Sequence, residues 1–343
     1  MPVLSSFRSS LRGCIKKLPK QIGIAIWGYG RHAKNNIMPA VLGLDEYRLV
    51  GVCTRNEKTR REIISEQKIK TWVDPKEMLE EPGVDVVYLT TPTGLHYSQG
   101  MSVLEANKHL ICEKPLSYDG IKSVEMLEYA QNRGLVLLEA FMYLFHPKFL
   151  LLKKLIKEQV LGNIVSLTTN FSLPSLEHMG FRSSPELGGG AFLDLGSYVF
   201  SLMSSIFDGL PKINFFETRQ DFGSEVDTAG EALLRFPQGQ SAFLSWGYNR
   251  AYQNEAIVLG DKGSVYVDRI FLKESGNSDR FLKRDLFGKS ELVDVEKANS
   301  FICMLQSFSK SLHDVRLQNK YFQDARARAL LCNQFERSDW HKN

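Results

Sequence analysis

Three groups of residues have the types and spacing to do chemistry. The first is Gly28-Tyr29-Gly30-Arg31-His32-Ala33, which follows the apolar run Ile22–Trp27 and leads into a helical pattern. A first glycine permits a tight turn, a second lets backbone approach a pyrophosphate, and a small third residue lets helix and strand pack. The helix N-terminus then offers free N–H groups and a favourable dipole to phosphate. The glycines alone are a weak signal, but with a strand before and a helix after they predict dinucleotide binding. The second group is Glu113-Lys114-Pro115, just past the apolar run His109–Cys112. Parallel α/β sheets bind ligands at the carboxyl ends of their strands, so Lys114 is placed to meet a substrate. The alternative is a surface lysine. The third is Gly188-Gly189-Gly190 with Asp194 and Tyr198 behind it. Spaced i,i+4 on a predicted helix, Asp194 and Tyr198 share one face. Glycines here let the backbone approach a ligand closely. The alternatives are a helix-surface acid and a core tyrosine. A lysine cation near the phenol would lower its pKa and suit it to general-acid work.

The residues after the second apolar run bear on cofactor choice. Arg48–Cys53 ends in Thr54-Arg55, where an NAD-selective protein usually places an acid on the ribose 2′-hydroxyl. Asp45 and Glu46 precede the run and Glu57 begins the next helix, so none is well placed. Arg55 can grip a 2′-phosphate through paired hydrogen bonds. NADP(H) is therefore the expected cofactor, with NAD(H) possible; the alternative for Arg55 is a solvated loop residue.

The elements that position these groups follow two patterns. From Ile22 to Leu138, apolar runs alternate with helical stretches such as Gly94–Asn107 and Gly120–Arg133. This predicts an α/β unit, a parallel sheet with helices on both faces. Past Phe145, strand-like stretches follow one another: Ile164–Phe171, Lys212–Gln220, Thr228–Phe236, Ser241–Tyr248, Glu255–Gly260 and Ser264–Asp268. Their period-2 patterning predicts an open, mostly antiparallel sheet. Helical patterns at Pro147–Gln159, Phe192–Phe207, Phe301–Leu312 and Phe322–Phe335 complete an α+β domain. The expected division is a basic arm at 1–20, a doubly wound nucleotide-binding domain at 21–143, and a substrate-binding and oligomerisation domain at 144–343. Ala242, Leu244, Trp246 and Tyr248 share one strand face while Phe243 makes the other partly apolar. A sheet apolar on both faces needs cover, which predicts a homodimer or homotetramer through this sheet.

Together with Thr91-Pro92, Leu95-His96 and Leu138–Tyr143, these motifs resemble the glucose–fructose oxidoreductase / inositol dehydrogenase (Gfo/Idh/MocA) family. The nearest branches are the ketosugar reductases and dihydrodiol dehydrogenases. The resemblance runs from Ile22 onward. It implies a Rossmann domain and hydride transfer between a nicotinamide and a sugar or sugar-derived alcohol or ketone. It also implies that Lys114 contacts substrate and helps move the proton, with Tyr198 as the other candidate donor and Asp194 orienting them. Thr91, Pro92 and Thr93 match the turn beneath the nicotinamide ribose, and Glu113 joins the cofactor set. His96 matches a recurrent histidine of the family, or is simply a helix-terminal polar residue. Arg182 matches one of two arginines that ketosugar reductases often carry, but Ser184 stands at the other, which puts an anionic substrate part in doubt. His146 beside Pro147 has a structural reading. Two rival activities also fit the fold: glycoside cleavage by transient oxidation, and a non-catalytic nucleotide- or sugar-sensing regulator.

The bulk numbers exclude other classes. A net charge of +4 over 343 residues is too small for a nucleic-acid surface. No apolar run reaches the roughly 20 residues of a membrane span. Five scattered cysteines form no CxxC pair, and the histidines show no ligand spacing, so neither disulfides nor a metal is expected. A reducing, cytoplasmic setting fits. The first twenty residues carry five basic and no acidic side chains, with apolar residues at helical spacing. They read as a packing arm or a targeting peptide.

Overall fold

A computed structural model describes residues 21–174, 179–271 and 280–336; the basic arm 1–20, with Cys14, lies outside them. Six parallel strands form the first sheet: β1 (Ile22–Trp27), β2 (Tyr47–Cys53), β3 (Lys70–Trp72), β4 (Val86–Leu89), β5 (His109–Cys112) and β6 (Leu137–Glu139). Their order is β3-β2-β1-β4-β5-β6. Helices α1 (Met38–Leu42), α2 (Glu57–Glu62), α3 (Pro75–Glu80), α4 (His96–Glu105) and α5 (Gly120–Asn132) connect them. Local caps start several of these: Asn56 accepts from Thr59 N–H, Asp74 from Lys76 N–H, and Asp119 from Ile121 and Lys122 N–H. All six residues of β1 are buried, as its unbroken apolar run requires. β3 is not among the expected strands; it has 3 residues and buries only Trp72. The build direction reverses at β1, so the loops after β1 and β4 meet at the switch point where such sheets bind ligands. Thr90 ties them, donating its hydroxyl to Gly28 O at 2.9 Å.

The second sheet has eight strands. They are β7 (Ile164–Ser172), β8 (Lys212–Arg219), β9 (Ala229–Arg235), β10 (Ser241–Gly247), β11 (Gln253–Gly260), β12 (Gly263–Asp268), β13 (Arg280–Asp285) and β14 (Ser290–Asp294), in the order β14-β13-β12-β11-β7-β10-β9-β8. Pairing is antiparallel except between β7 and β10. A hairpin at Phe236–Gly239 joins β9 to β10, with Gly239 at φ +92. β13 and β14 escape the sequence pattern: both are rich in charge, and Phe281 is the one fully buried residue of β13. The inner face, with Leu244, Trp246 and Val258, packs under α6 (Pro147–Lys157) and α7 (Ser197–Ile206). His146 caps α6, accepting from Lys148 N–H, and its other ring nitrogen meets Ala298 O at 3.0 Å, a structural role.

The last two helices return to the first sheet. In α8 (Ser300–Ser311), Phe301, Met304, Leu305 and Phe308 join the core that also holds β1 and β4. α9 (Val315–Glu336) contributes Tyr321 to that core, Ala325 to the core on the other side of the sheet, and Leu331 and Phe335 to the core of the second domain.

Candidate active site

The glycine turn has the shape a dinucleotide needs. Gly28 sits at φ +93, and a side chain there would stand 3.0 Å from the Thr91 methyl and 3.1 Å from the Thr90 carbonyl. At Gly30 no heavy atom lies within 4 Å of where a side chain would begin, which leaves a cradle for a pyrophosphate. The helix behind opens with a π-helical turn, Ala33–Ile37, whose Ala33 is fully buried against the sheet. Of the other turn residues, Arg31 is exposed, and Tyr29 turns back to donate to Met38 Sδ at 3.1 Å. Thr54 is half-buried and Arg55 exposed at the tip of β2.

His32 reaches across this turn. Its Nε2 lies 2.9 Å from Glu113 Oε1, which also accepts from the Tyr88 hydroxyl at 3.0 Å. Burial alone would raise the Glu113 pKa; His32, Lys114 and the Tyr88 bond outweigh it and hold the carboxyl below its ordinary value. Thr91 donates to Gln99 Oε1 at 2.6 Å, and Thr93 is buried beside Pro92. His96 lines the site's cavity and is buried rather than a surface cap. Its Nδ1 lies 2.8 Å from Pro115 O and its Nε2 2.8 Å from Thr91 O. Burial lowers its pKa, and the two carbonyls pull the other way without prevailing. Each ring nitrogen faces one of these carbonyls, in the Thr91 turn and the Lys114-Pro115 turn, and the neutral ring, with one N–H, donates to one of them.

Lys114, Asp194 and Tyr198 meet as their spacing suggests, though in a different relation. Lys114 Nζ donates to the Asp194 carbonyl at 2.6 Å and to Asp194 Oδ1 at 3.0 Å. It lies over the Tyr198 ring, 4.6 Å from the centroid, rather than beside the hydroxyl. The Tyr198 hydroxyl faces Met142 Sδ at 3.6 Å. Burial, with Glu113 and Asp194 adding to it, pushes this phenol up, opposite to the lowering expected from a neighbouring cation. The physical reason is that the cation stands over the ring face while two carboxylates share the dry surroundings.

Asp194 is a hub. Arg182 Nε donates to Oδ2 at 2.6 Å, and the Tyr248 hydroxyl donates to the same oxygen at 2.8 Å. Burial would raise the carboxyl; Lys114 and Arg182 reverse this and hold it well below the usual range. Asp194 lies in a second π-helical turn, Phe192–Gly196, ahead of α7. Asp227 fixes that turn, accepting from Phe192 N–H at 2.7 Å. Tyr248 is the site residue that sequence patterning reads only as core, because it ends the buried alternation of β10 and no motif marks it. Lys114, Arg182, Asp194 and Tyr198 line a cavity of about 280 Å³ together with the aromatic Phe171, Tyr252 and Phe271.

With this geometry in view, comparison with known proteins is decisive on family. The model for an oxidoreductase family with an NAD-binding Rossmann fold matches residues 22–141, and that for the GFO/IDH/MocA C-terminal domain matches residues 149–266. The chain belongs to the GFO/IDH/MocA family. It is an NAD(P)-dependent oxidoreductase. A dTDP-3,4-didehydro-2,6-dideoxy-alpha-D-glucose 3-reductase of Saccharopolyspora spinosa is 27% identical over 74% of this chain and 76% of its own. A trans-1,2-dihydrobenzene-1,2-diol dehydrogenase of Sus scrofa is 26% identical over 66% of this chain and 68% of its own. These fall in the two branches the motifs resemble. A solved 3-ketoreductase from Actinomadura kijaniata, in complex with NADP and TDP-benzene, shares the fold: TM-score 0.85, 24% identity, 91% of this chain and 96% of that one.

Removing the hub carboxylate leaves Lys114 and Arg182 without their counter-charge in a buried place. Asp194→Ala is expected to lose about 3–5 kcal/mol of unfolding free energy in urea titration. A loss under about 1 kcal/mol would show that the cations hold their places without it.

Proposed function

We propose that the protein is an NADP(H)-dependent oxidoreductase that moves a hydride between the nicotinamide and a carbon of a sugar or sugar-derived alcohol or ketone. The observation that carries this reading is Lys114 Nζ, fixed by Asp194 beyond the carboxyl end of β5, in one cavity with His32 of the cofactor turn. The bound nicotinamide supplies or accepts the hydride. The protein's own task is to hold a hydroxyl or carbonyl and to handle its proton. An ammonium has three N–H donors, and two of those of Lys114 go to Asp194. The third is left for a substrate oxygen, which makes Lys114 the proton donor in the reducing direction. Tyr198 supplies the ring beneath the ammonium. Arg182 spends only Nε on Asp194, so its other N–H groups are left for substrate hydroxyls or an anionic group. Ser184 donates to Glu186 at 2.8 Å and adds no second cation.

Lys114→Ala is expected to lower kcat by roughly 10²–10⁴-fold, the usual worth of a positioned proton donor. NADPH affinity, read by fluorescence, should stay within about threefold, since the cofactor's phosphates bind elsewhere. A near-normal kcat would remove Lys114 from the reaction. The NADP(H) preference rests on Arg55 and on the lack of an acid at the tip of β2. Arg55→Ala should cut kcat/KM for NADPH by roughly tenfold or more while NADH is little affected, the loss of a charge-assisted phosphate contact. An unchanged NADPH-to-NADH ratio would assign the preference elsewhere.

We also infer that a second copy covers the outer face of the eight-stranded sheet. Cross-strand register aligns one row across all eight strands: Phe215, Leu233, Phe243, Thr168, Ile257, Tyr266, Leu282 and Leu292. Phe215, Phe243, Ile257 and Leu292 are exposed. On one side of the row stand Glu217, Glu231, Glu255, Asp268 and Asp294, with Arg219 paired to Glu217 and Glu231 and Arg280 to Asp294; on the other stand Lys212, Arg235 and Arg284. A two-fold axis along the row lays the acidic side of one copy over the basic side of the other and apolar row on apolar row. Phe243→Glu should reduce the mass in light scattering from an oligomer to the single chain. An oligomer of unchanged mass would place the interface elsewhere.

A further inference from the structure

A second buried ion pair lies behind the active site. Glu139, the last residue of β6, and Arg328, in α9, are 5% and 8% exposed, and Arg328 Nε donates to Glu139 Oε2 at 2.6 Å. The other carboxylate oxygen, Oε1, accepts from the Leu116 N–H at 3.2 Å. Leu116 stands two residues after Lys114 and is itself buried. The pair therefore grips the outgoing limb of the Glu113-Lys114-Pro115 turn, while His96 Nδ1 faces Pro115 O. A parallel route runs through rings. The Arg328 guanidinium lies 5.2 Å over Phe141, whose ring meets that of Tyr198 edge-on at 5.4 Å, and Lys114 Nζ rests 4.6 Å over Tyr198.

We propose that Arg328 and Glu139 are positioning residues for Lys114, acting through the Leu116 amide. The inference rests on the reading of Lys114 as proton donor. A buried ion pair is a poor source of stability, because desolvating both charges offsets their attraction. What this pair does have is direction. The guanidinium fixes one carboxylate oxygen, so the other stays aimed at one backbone N–H. That N–H belongs to a turn whose lysine must stand within hydrogen-bond reach of a reacting oxygen, where a shift of about 1 Å can cost about a hundredfold in rate. Because Arg328 comes from a helix far along the chain, the C-terminal segment has a part in setting the active-site turn.

Two double variants test this. Glu139→Gln/Arg328→Met and Glu139→Met/Arg328→Met both remove the buried charges together, a change that is often neutral for stability. Only the first keeps an acceptor for Leu116 N–H. Both are expected to melt within a few degrees of each other and to bind NADPH with unchanged affinity. The first should keep kcat within about threefold of the parent, and the second should lose about tenfold or more with KM for NADPH unmoved. Arg328→Lys should retain more kcat than Arg328→Met. Equal kcat in the two doubles, or a kcat loss that tracks melting temperature, overturns the proposal. Lys114→Ala, assayed alongside, separates the causes. If that variant is also active, the proton-donor reading falls and this inference with it. If it is inactive while the doubles match, this inference alone falls.

Discussion

Asp194 carries a negative charge into a place where 15% of its side chain meets water. An isolated buried carboxylate would take up a proton instead, so its ionised state depends on what surrounds it. Three donors converge on it from three separate parts of the chain: Lys114 after β5, Arg182 in the loop before the glycines, and Tyr248 just past β10. Arg182 and Tyr248 belong to the same domain as Asp194, and Lys114 alone comes from the other. The hub is therefore a meeting point of the two domains, and it fixes where the lysine stands relative to the cofactor turn. Without it, two cations would face each other across the cavity.

The cofactor side repeats the device with Glu113. That carboxylate is kept ionised by His32 from the glycine turn, by the adjoining Lys114 and by the Tyr88 hydroxyl from β4. Lys114 thus lies between two carboxylates, one next to it in sequence and one 80 residues on. Each is tied to a different domain. The ammonium is tied to the second domain by its two hydrogen bonds to Asp194 and to the first by its own chain and by the charge of Glu113.

How much of this was legible in the sequence depended on the range of each interaction. β1, the glycine turn and the buried Ala33 form one local unit, and local patterning predicts it residue by residue. Lys114 was found because strand ends are visible as the ends of apolar runs. Asp194 and Tyr198 were found through spacing within a single helical stretch, aided by resemblance. Tyr248 and Arg328 were not, since each acts across more than fifty residues and sits in an ordinary apolar or amphipathic pattern. The lowered pKa expected of Tyr198 failed for a related reason: the spacing brings lysine and tyrosine together but does not say whether the ammonium meets the ring or the hydroxyl. β3, β13 and β14 were missed because they are short or charged, and a strand at or near a sheet edge needs few buried residues.

The hub requires two sheets to hold a fixed relation, and a single connection after β6 would leave them hinged. α9 removes that freedom. Along its length it places Tyr321 in one core, Ala325 in the second and Leu331 with Phe335 in the third. A rigid helix embedded in all three cores cannot follow one domain away from the other without exposing apolar surface, at a cost of roughly 25 cal/mol for each Å² uncovered. The same helix carries Arg328 to Glu139 at the root of the lysine turn. The element that packs into the cores of both halves is thus also the one whose arginine meets Glu139, the carboxylate that accepts from the Leu116 N–H just after the lysine turn.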